Sequence, residues 1–406
     1  MKLVVLTPHF APDLAPTGEV ITRVVEELGG RGHRIEVITA LPWYRRHQVE
    51  PQYSGRLYRY EDTPWGRITR IHPFPGSDKR KLLRRAVGYA GFSALATAMG
   101  GRGGPVDGVL AVSPPLSLGA TGWAVAKRRR APFVFNVQDI YPDVAVELGM
   151  LNNKRIVNAA YRLERWSYKK ADAVTVLSEG LRDNVVNKTD RTERVRVIPN
   201  FVDTDWIRPS PRDNAYRREF GLRGKTVVMY AGNVGLSQGL SLVVDAAAAL
   251  AYEEDLVFVI NGGGADRHRL EKKAQGLKNI RFVDMQPAGR LPEVLAAGDI
   301  HLVTLKRGLA RSSVPSKTYS ILAAGRPLLA SVDEGSEISS VVERAEAGVA
   351  VPPEDPEAFT KALRRMLDNR NELKRMGGAG RKFVEGWASP SAVAESYEKL
   401  FEELRR

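Results

Sequence analysis

Between Val303 and Ala330 several side chains able to hold an anion crowd together: Lys306, Arg311, Ser312, Ser313, Ser316 and Lys317. The stretch reads as a strand, a basic loop that also carries Val314 and Pro315, a helix opening near Pro315, and a further strand after Gly325-Arg326-Pro327. Proline near a first turn and glycine at the end are helix boundaries. A helix start gathers unpaired N–H groups and partial positive charge, which suits a phosphate. The competing reading is a solvated basic loop after a strand. The density of donors at one helix start favours a phosphate cradle.

A second loop adds to the first. The run Tyr230-Ala-Gly-Asn-Val-Gly-Leu-Ser-Gln-Gly-Leu240 follows an apolar strand. Gly232 lets the backbone approach a ligand, and Asn233, Ser237 and Gln238 offer neutral donors. Gly263 sits in a Gly262-Gly-Gly264 turn. Neither half shows G-x-G-x-x-G after its first strand, so a dehydrogenase-type dinucleotide site has no support. In the first half, Thr17 and Gly18 stand near the start of a helix that could bring N–H groups to a phosphate. In Asn136-Val-Gln-Asp-Ile-Tyr-Pro-Asp143, Asp139 follows directly on a buried strand, where α/β sheets display functional side chains. A helix cap or a loop hydrogen bond is its alternative role, and Asp143 reads as a helix cap.

These residues are positioned by a repeated strand, loop and helix rhythm. Lys2–Thr7, Arg34–Thr39, Val106–Val112, Phe133–Val137, Ala173–Leu177 and Val195–Ile198 are short apolar runs separated by helical stretches. The rhythm restarts at Thr226–Ala231, and Leu256–Ile260, Asn279–Val283, Ile300–Leu305 and Pro327–Ser331 continue it. Apolar runs of this kind are buried parallel strands, so the fold class is α/β with doubly wound sheets. Pro209-Ser-Pro-Arg-Asp-Asn214 reads as an inter-domain linker. At 406 residues two domains are expected. They are a Rossmann-like domain over 1–205, completed by a tail helix within 387–406, and a second over 206–386. Such a pair binds ligands in a cleft at the strand C-terminal ends.

Composition narrows the chemistry. The chain has no cysteine, which removes disulfides, thiolate metal sites and a cysteine nucleophile. Its six histidines show no metal-ligand spacing, so no metal is expected. Net charge is +14, and it is unevenly spread. Residues 1–200 hold 31 Lys and Arg against 19 Asp and Glu, whereas residues 201–406 hold 30 against 28. A basic first half suggests a polyanion or an anionic membrane surface as partner. No nucleic-acid recognition motif accompanies the charge, so no nucleic-acid partner is expected, although charge alone leaves that reading in play. Lys79–Arg85 precedes the apolar segment Ala86–Met99, as an interfacial membrane helix would; a core helix with a basic first turn is the alternative. Lys127–Arg130 closes another helix and needs no function. The apolar run at Met1–Thr7 is too short for a signal segment and no run spans a bilayer, so the expected location is cytoplasmic, peripheral on the inner membrane face.

Taken together, the Pro8-x-Phe-x-Pro12 to Gly18 loop, Gly32-His-Arg-Ile-Glu-Val-Ile-Thr39, Ile198-Pro-Asn-Phe-Val-Asp203, Gly232 to Gly239, and Val314-Pro-Ser-Lys-x-Tyr to Ala323-Ala-Gly-Arg-Pro327 resemble the family-4 glycosyltransferases of the GT-B fold. The wording at Gln138-Asp-Ile-Tyr-Pro and Val314-Pro-Ser-Lys is similar to the subgroup that builds colanic acid, O-antigen and related exopolysaccharides. The resemblance implies retaining, metal-independent transfer from a nucleotide-sugar, with no further cofactor, to a lipid-linked saccharide such as a polyprenyl-diphosphate or glycolipid. It places Gly18 against the donor diphosphate, Asp139 near the reacting sugar, and Gly232, Asn233, Ser316 and Lys317 along the diphosphate, with Thr17, Gln238 and Gly263 among the other donor-binding residues. Met285 and Gln286 would lie near the base, and Lys317, Arg311 and Asp139 would carry the chemistry. Two features depart from the pattern. The usual donor-site glutamates correspond to Ser312 and Ser320, and the glycine loop has Asn233 and Gln238 where Arg and Lys are common. Lys306, Arg311 and Lys317 are the cations left to face two phosphates. A sugar-nucleotide epimerase and a non-catalytic scaffold of the same fold are the alternatives.

Overall fold

A computed structural model describes residues 1–13, 15–44, 48–74, 82–147, 151, 153–189, 191–308 and 317–405, with backbone alone at 16, 82–87, 144 and 147. The chain divides into two compact units, Met1–Asn200 with Pro390–Arg406, and Phe201–Ser389.

In the first unit, β1 (Lys2–Leu6), α1 (Pro16–Gly30), β2 (Arg34–Ala40), β3 (Tyr58–Thr63), β4 (Gly66–Ile71), α2 (Leu82–Gly100), β5 (Gly108–Ser113) and α3 (Leu118–Arg129) follow in order. Then come β6 (Phe133–Val137), α4 (Asp143–Glu147), α5 (Lys154–Lys170), β7 (Ala173–Val176), α6 (Glu179–Thr189) and β8 (Val195–Val197). They form one sheet of order β3-β4-β2-β1-β5-β6-β7-β8, parallel except for β3. Strands β5, β6 and β7 are buried along their whole length, which is why each reads as an uninterrupted apolar run. The β3–β4 hairpin escaped the sequence reading because β3 alternates between exposed and half-buried residues. It is an edge strand, and nothing in it forms an apolar run.

The second unit contains α7 (Ala215–Glu219), β9 (Thr226–Ala231), α8 (Ser241–Ala249), β10 (Leu256–Asn261), α9 (Arg267–Lys273), β11 (Ile280–Val283) and α10 (Leu291–Ala297). It continues with β12 (Ile300–Thr304), α11 (Lys317–Ala323), β13 (Leu328–Ser331), α12 (Glu337–Arg344), β14 (Gly348–Val351), α13 (Pro356–Leu367) and α14 (Arg370–Trp387). Its all-parallel sheet has the order β11-β10-β9-β12-β13-β14. In both sheets the chain reverses its direction of winding beside the first strand, between β1 and β5 and between β9 and β12. Ligands of open α/β sheets bind at the C-terminal strand ends beside such a reversal.

The expected domain borders move. Val202 and Ile207 pack in the second unit's core with Val384 and Ala388, and the Val202 N–H donates to the Ala388 carbonyl at 3.0 Å. The first crossing therefore falls at Asn200–Phe201 rather than after 205, and the second at Ser389–Pro390 rather than after 386. The segment 209–214 is no linker. Arg212 pairs with Asp299 at 2.7 Å, the Ser210 carbonyl accepts from Arg326 at 2.7 Å, and Asn214 caps α7. Its prolines reflect a bound surface loop, a composition that linkers share.

The last helix, α15 (Pro390–Leu404), returns to the first unit and packs along α1. Val393, Tyr397, Leu400 and Phe401 are buried, as the helical spacing required. Glu398 bonds both Arg31 (3.0 Å) and His33 (2.7 Å).

Some of the first half's positive charge is internal. Arg129 is 1% exposed and binds Glu36 through both guanidinium nitrogens at 2.9 and 3.0 Å, besides the carbonyls of Gly100, Arg102 and Gly104. One member of the Lys127–Arg130 cluster is thus a structural clamp. Asp143 does not cap a helix: it is the first residue of α4 and accepts from Lys188 (2.9 Å) and Asn184 (3.0 Å). Burial acts to raise its carboxyl, and these partners outweigh that and lower it. Lys188 also bonds the fully buried Glu164 at 2.7 Å. In α2, Phe92 and Ala96 are core residues, so its described face supports the fold. Lys79–Lys81 lie outside the described residues, as do the side chains of Leu82–Arg85, and the expected membrane contact there rests on sequence. Among the described residues no helix is long and apolar enough to cross a membrane.

Candidate functional site

In the second unit three loops meet beyond the ends of β9, β10 and β12. Gly232, directly after β9, has φ 142° and donates its N–H to the Asn261 carbonyl at 2.9 Å. Gly262, directly after β10, has φ 158°, and a Cβ there would overlap the Gly232 carbonyl oxygen. Only glycine fits so close an approach. The Val234 N–H donates to the Gly263 carbonyl at 2.9 Å, so the two glycine loops lie edge to edge. The β12 end joins them: the Lys306 N–H donates to the Ser237 carbonyl (2.9 Å) and the Thr304 hydroxyl to that of Gln238 (2.6 Å).

Lys317, the first residue of α11, reaches into this group. Its ammonium donates to the Tyr230 hydroxyl at 2.8 Å and lies 4.1 Å from the centroid of the Tyr230 ring. A Cβ on Gly232 would stand 3.3 Å from the Lys317 nitrogen, so the cation is at the glycine-loop backbone. Tyr230 is fully buried and its hydroxyl donates to the Asn233 carbonyl at 2.7 Å. Burial pushes the Tyr230 hydroxyl up and holds the Lys317 ammonium down, to about 8. Among the described residues no carboxylate pairs with it to offset that burial, which leaves a cation suited to an anionic partner.

The structure therefore brings together Gly232, Asn233, Gln238, Gly263, Lys306 and Lys317. Sequence reasoning missed Tyr230, the residue that joins the helix to the loop; a tyrosine near the end of a buried strand was the available signal. Met285 is exposed after β11. Gln286 spends its amide locally, accepting from Arg290 at 2.7 Å and donating to the Asp284 carbonyl at 3.0 Å. Neither is joined to Lys317 by a contact among the described residues. Arg311, Ser312, Ser313, Val314, Pro315 and Ser316 lie outside the described residues; Ser320 is half-buried on α11.

In the first unit, Thr17 and the buried Gly18 occupy the first turn of α1, which has no side-chain cap. A Cβ on Gly18 would lie 2.8 Å from that of His9, so the β1 loop presses on the helix start. Asp139 follows β6 by two residues, and its side chain is exposed; the surrounding protein still removes enough water to raise its carboxyl above the usual range. Behind it runs a buried chain of amides. Asn136 donates to Tyr397 (2.9 Å) and Thr175 (3.0 Å) and accepts from Gln138 (2.7 Å), which accepts from Asn200 (2.9 Å). The tail helix thus supports the strand end that carries Asp139.

Both units have counterparts among known proteins. Residues 17–200 match the model of the glycosyl transferase 4-like domain, and residues 213–383 that of the glycosyl transferases group 1. WcaI of Escherichia coli K12, named for colanic acid biosynthesis, is 32% identical over 379 residues, covering 90% of this chain and 92% of that one. WbjE of Pseudomonas aeruginosa, named as a glycosyltransferase, is 31% identical over 328 residues, covering 77% and 78%. The solved structure of Anabaena HepE in complex with UDP matches the whole of both chains with a TM-score of 0.69 at 14% identity.

Proposed function

The chain belongs to the GT-B glycosyltransferases that join a 4-like domain to a group 1 domain, and from that premise we propose that it assembles surface polysaccharide. The second unit would hold a nucleotide-sugar, and the first a lipid-linked saccharide acceptor at the inner membrane face. The names of WcaI and WbjE and the UDP bound by HepE support this reading. The observation that carries it is the Lys317 ammonium, buried on Tyr230 at the Gly232 backbone with no counter-anion among the described residues.

A diphosphate fits that environment. As the glycosidic bond stretches, the leaving nucleoside diphosphate gains charge, and a fixed cation in a partly desolvated site stabilises it more than water does. Lys317 supplies from α11 the charge that the glycine loop lacks at Asn233 and Gln238, and Lys306 stands at the next strand end. The proposal puts the neutralising charge on the protein rather than on a metal. Transfer proceeds with retention, and Asp139 orients the acceptor hydroxyl or steadies positive charge on the sugar.

The test is a thermal-shift panel of UDP, GDP, ADP, CMP and their sugars against wild type and Lys317→Ala. A ligand at about 100 times its Kd adds about 2.7 kcal/mol of stability. One nucleotide class shifting wild type and not the variant is expected. No shift from any nucleotide overturns the donor site and leaves a non-catalytic scaffold.

A further inference from the structure

At the N-terminal edge of the second sheet, opposite the strand ends that lead to Gly232 and Lys306, lies a cavity of about 790 Å³. It sits where β9, β10, β12 and β13 begin, and α13 and α14 contribute its wall. The volume is that of a small-ligand site. Leu250, Leu367 and Leu373 give it apolar lining, and every lining residue belongs to the second unit. The proposed function makes no use of it.

Its charged groups are unevenly committed. Asp299 is bound by Arg212 (2.7 Å), Arg217 (2.6 Å) and the Val227 N–H (2.8 Å), and Asp255 pairs with Lys225 at 3.0 Å. Arg326, Arg364, Arg370 and Lys374 have no carboxylate partner among the described residues, and the lining carboxylates Glu253 and Asp368 have no cation. Arg326 is the least satisfied. Its Nη2 donates to the Ser210 carbonyl at 2.7 Å, and its Nε is buried with no hydrogen-bond partner among the described residues. Burial holds its guanidinium below the usual value, and the field of Asp299, a carboxylate already bound elsewhere, offsets only part of this. An anion stabilises an arginine so placed. Arg364 lies over the exposed Tyr252 ring, 5.6 Å from its centroid. The 18-residue helix α14 starts at this wall with Arg370 and Asn371 in its first turn, which adds the partial positive charge of a helix start.

We propose that this cavity binds a sugar phosphate, at a site separate from the glycine loops. Arg326, Arg370 and Lys374 hold the phosphate through charge-assisted hydrogen bonds, and Glu253 and Asp368 accept from the sugar hydroxyls. The leucine lining meets the apolar faces of the ring. Inorganic phosphate alone leaves the two carboxylates without donors, and a neutral sugar leaves the cations without an anion. A molecule that joins a phosphate to several hydroxyls satisfies both sets. The inference stands on this cavity alone, so it survives or fails independently of the transferase reading. Because the site is at the opposite edge of the sheet from Lys317, its ligand and a nucleotide can be bound together.

The experiment is calorimetric titration of the full chain with glucose 1-phosphate, glucose 6-phosphate and mannose 1-phosphate, with glucose and inorganic phosphate as controls. It compares wild type with the double variant Arg370→Gln, Lys374→Gln and with Lys317→Ala. Arg370 and Lys374 are exposed and have no partner to lose among the described residues, so the double variant should keep the wild-type melting midpoint. At least one sugar phosphate should bind wild type with a Kd of about 1 mM or tighter. The double variant should weaken that binding about tenfold or more, and Lys317→Ala should leave it unchanged. Glucose should not bind, and inorganic phosphate should bind more weakly than the best sugar phosphate. No saturable binding of any sugar phosphate up to about 10 mM overturns the proposal. Inorganic phosphate binding as tightly as the sugar phosphates overturns it too, as does an affinity of the folded double variant within about twofold of wild type. A loss in Lys317→Ala overturns it by placing the ligand at the glycine loops instead.

Discussion

Lys317 and Tyr230, 87 positions apart, meet at 2.8 Å between ammonium and hydroxyl, so a cation from α11 is delivered to the end of β9. The pair is the hinge of the donor-site proposal, and its removal has a defined consequence. Lys317→Ala should weaken nucleotide binding about 10- to 150-fold, the range of one charge-assisted hydrogen bond. Lys317→Arg should not recover it, because a planar guanidinium cannot occupy the ammonium's place over the Tyr230 ring. Calorimetric titration of the nucleotide identified by the thermal panel reads both.

The lowered ammonium gives the same contact a pH signature. The folded protein holds Lys317 at about 8 against an ordinary 10.5, so below 8 it carries the full penalty of a buried charge. That penalty fades as pH rises from 8 to 10.5, and stability without ligand should increase across this window. A bound diphosphate reverses the preference, since it favours the charged amine. Nucleotide affinity should therefore be flat below pH 8 and fall by up to about tenfold per unit above it. An affinity that is level from pH 7 to 10 would show that Lys317 does not face the anion.

Gly262 and Gly263 are adjacent and should respond oppositely to alanine. At Gly262 the backbone is in a region alanine avoids and the methyl would strike the Gly232 carbonyl, so a loss above about 2 kcal/mol is expected. At Gly263 a methyl meets open space. Thermal unfolding should place Gly263→Ala within about 0.5 kcal/mol of wild type.

Tyr397→Phe removes the hydroxyl that Asn136 donates to inside the first unit. The orphaned amide hydrogen is fully buried, and the expected loss is about 1–3 kcal/mol. The urea transition of the first unit should shift accordingly, while nucleotide binding by the second unit stays unchanged.

Lys188 bridges Asp143 and the buried Glu164. Lys188→Met should cost about 3–5 kcal/mol, because it leaves a buried carboxylate unpaired. Adding Glu164→Gln should recover much of that, and a double-mutant cycle measures the coupling. Additive losses would show the bridge to be incidental.

Much of the scaffold was legible because buried parallel strands write themselves as apolar runs. Phe133–Val137 and Thr226–Ala231 were read at their observed limits, and the α15 stripe announced that the tail must pack on something. Strand β14 was missed because it is four residues long and half-buried, and β3 because an edge strand alternates. The prolines at 209 and 211 misled for a related reason: their composition reports a turn without saying what the turn binds.

The sequence by itself determined the two-sheet class, the family and the loops where chemistry would sit, since these depend on residue type and short spacing. Only the tertiary structure decided which residues act together. Tyr230 joins Lys317 to the glycine loop, and Asp13 bonds the imidazole of His9 while Trp43 stacks on it and Tyr44 meets it edge-on. Such pairs form where strand ends from distant parts of the chain are brought side by side by sheet order, and no local period of the sequence records that order.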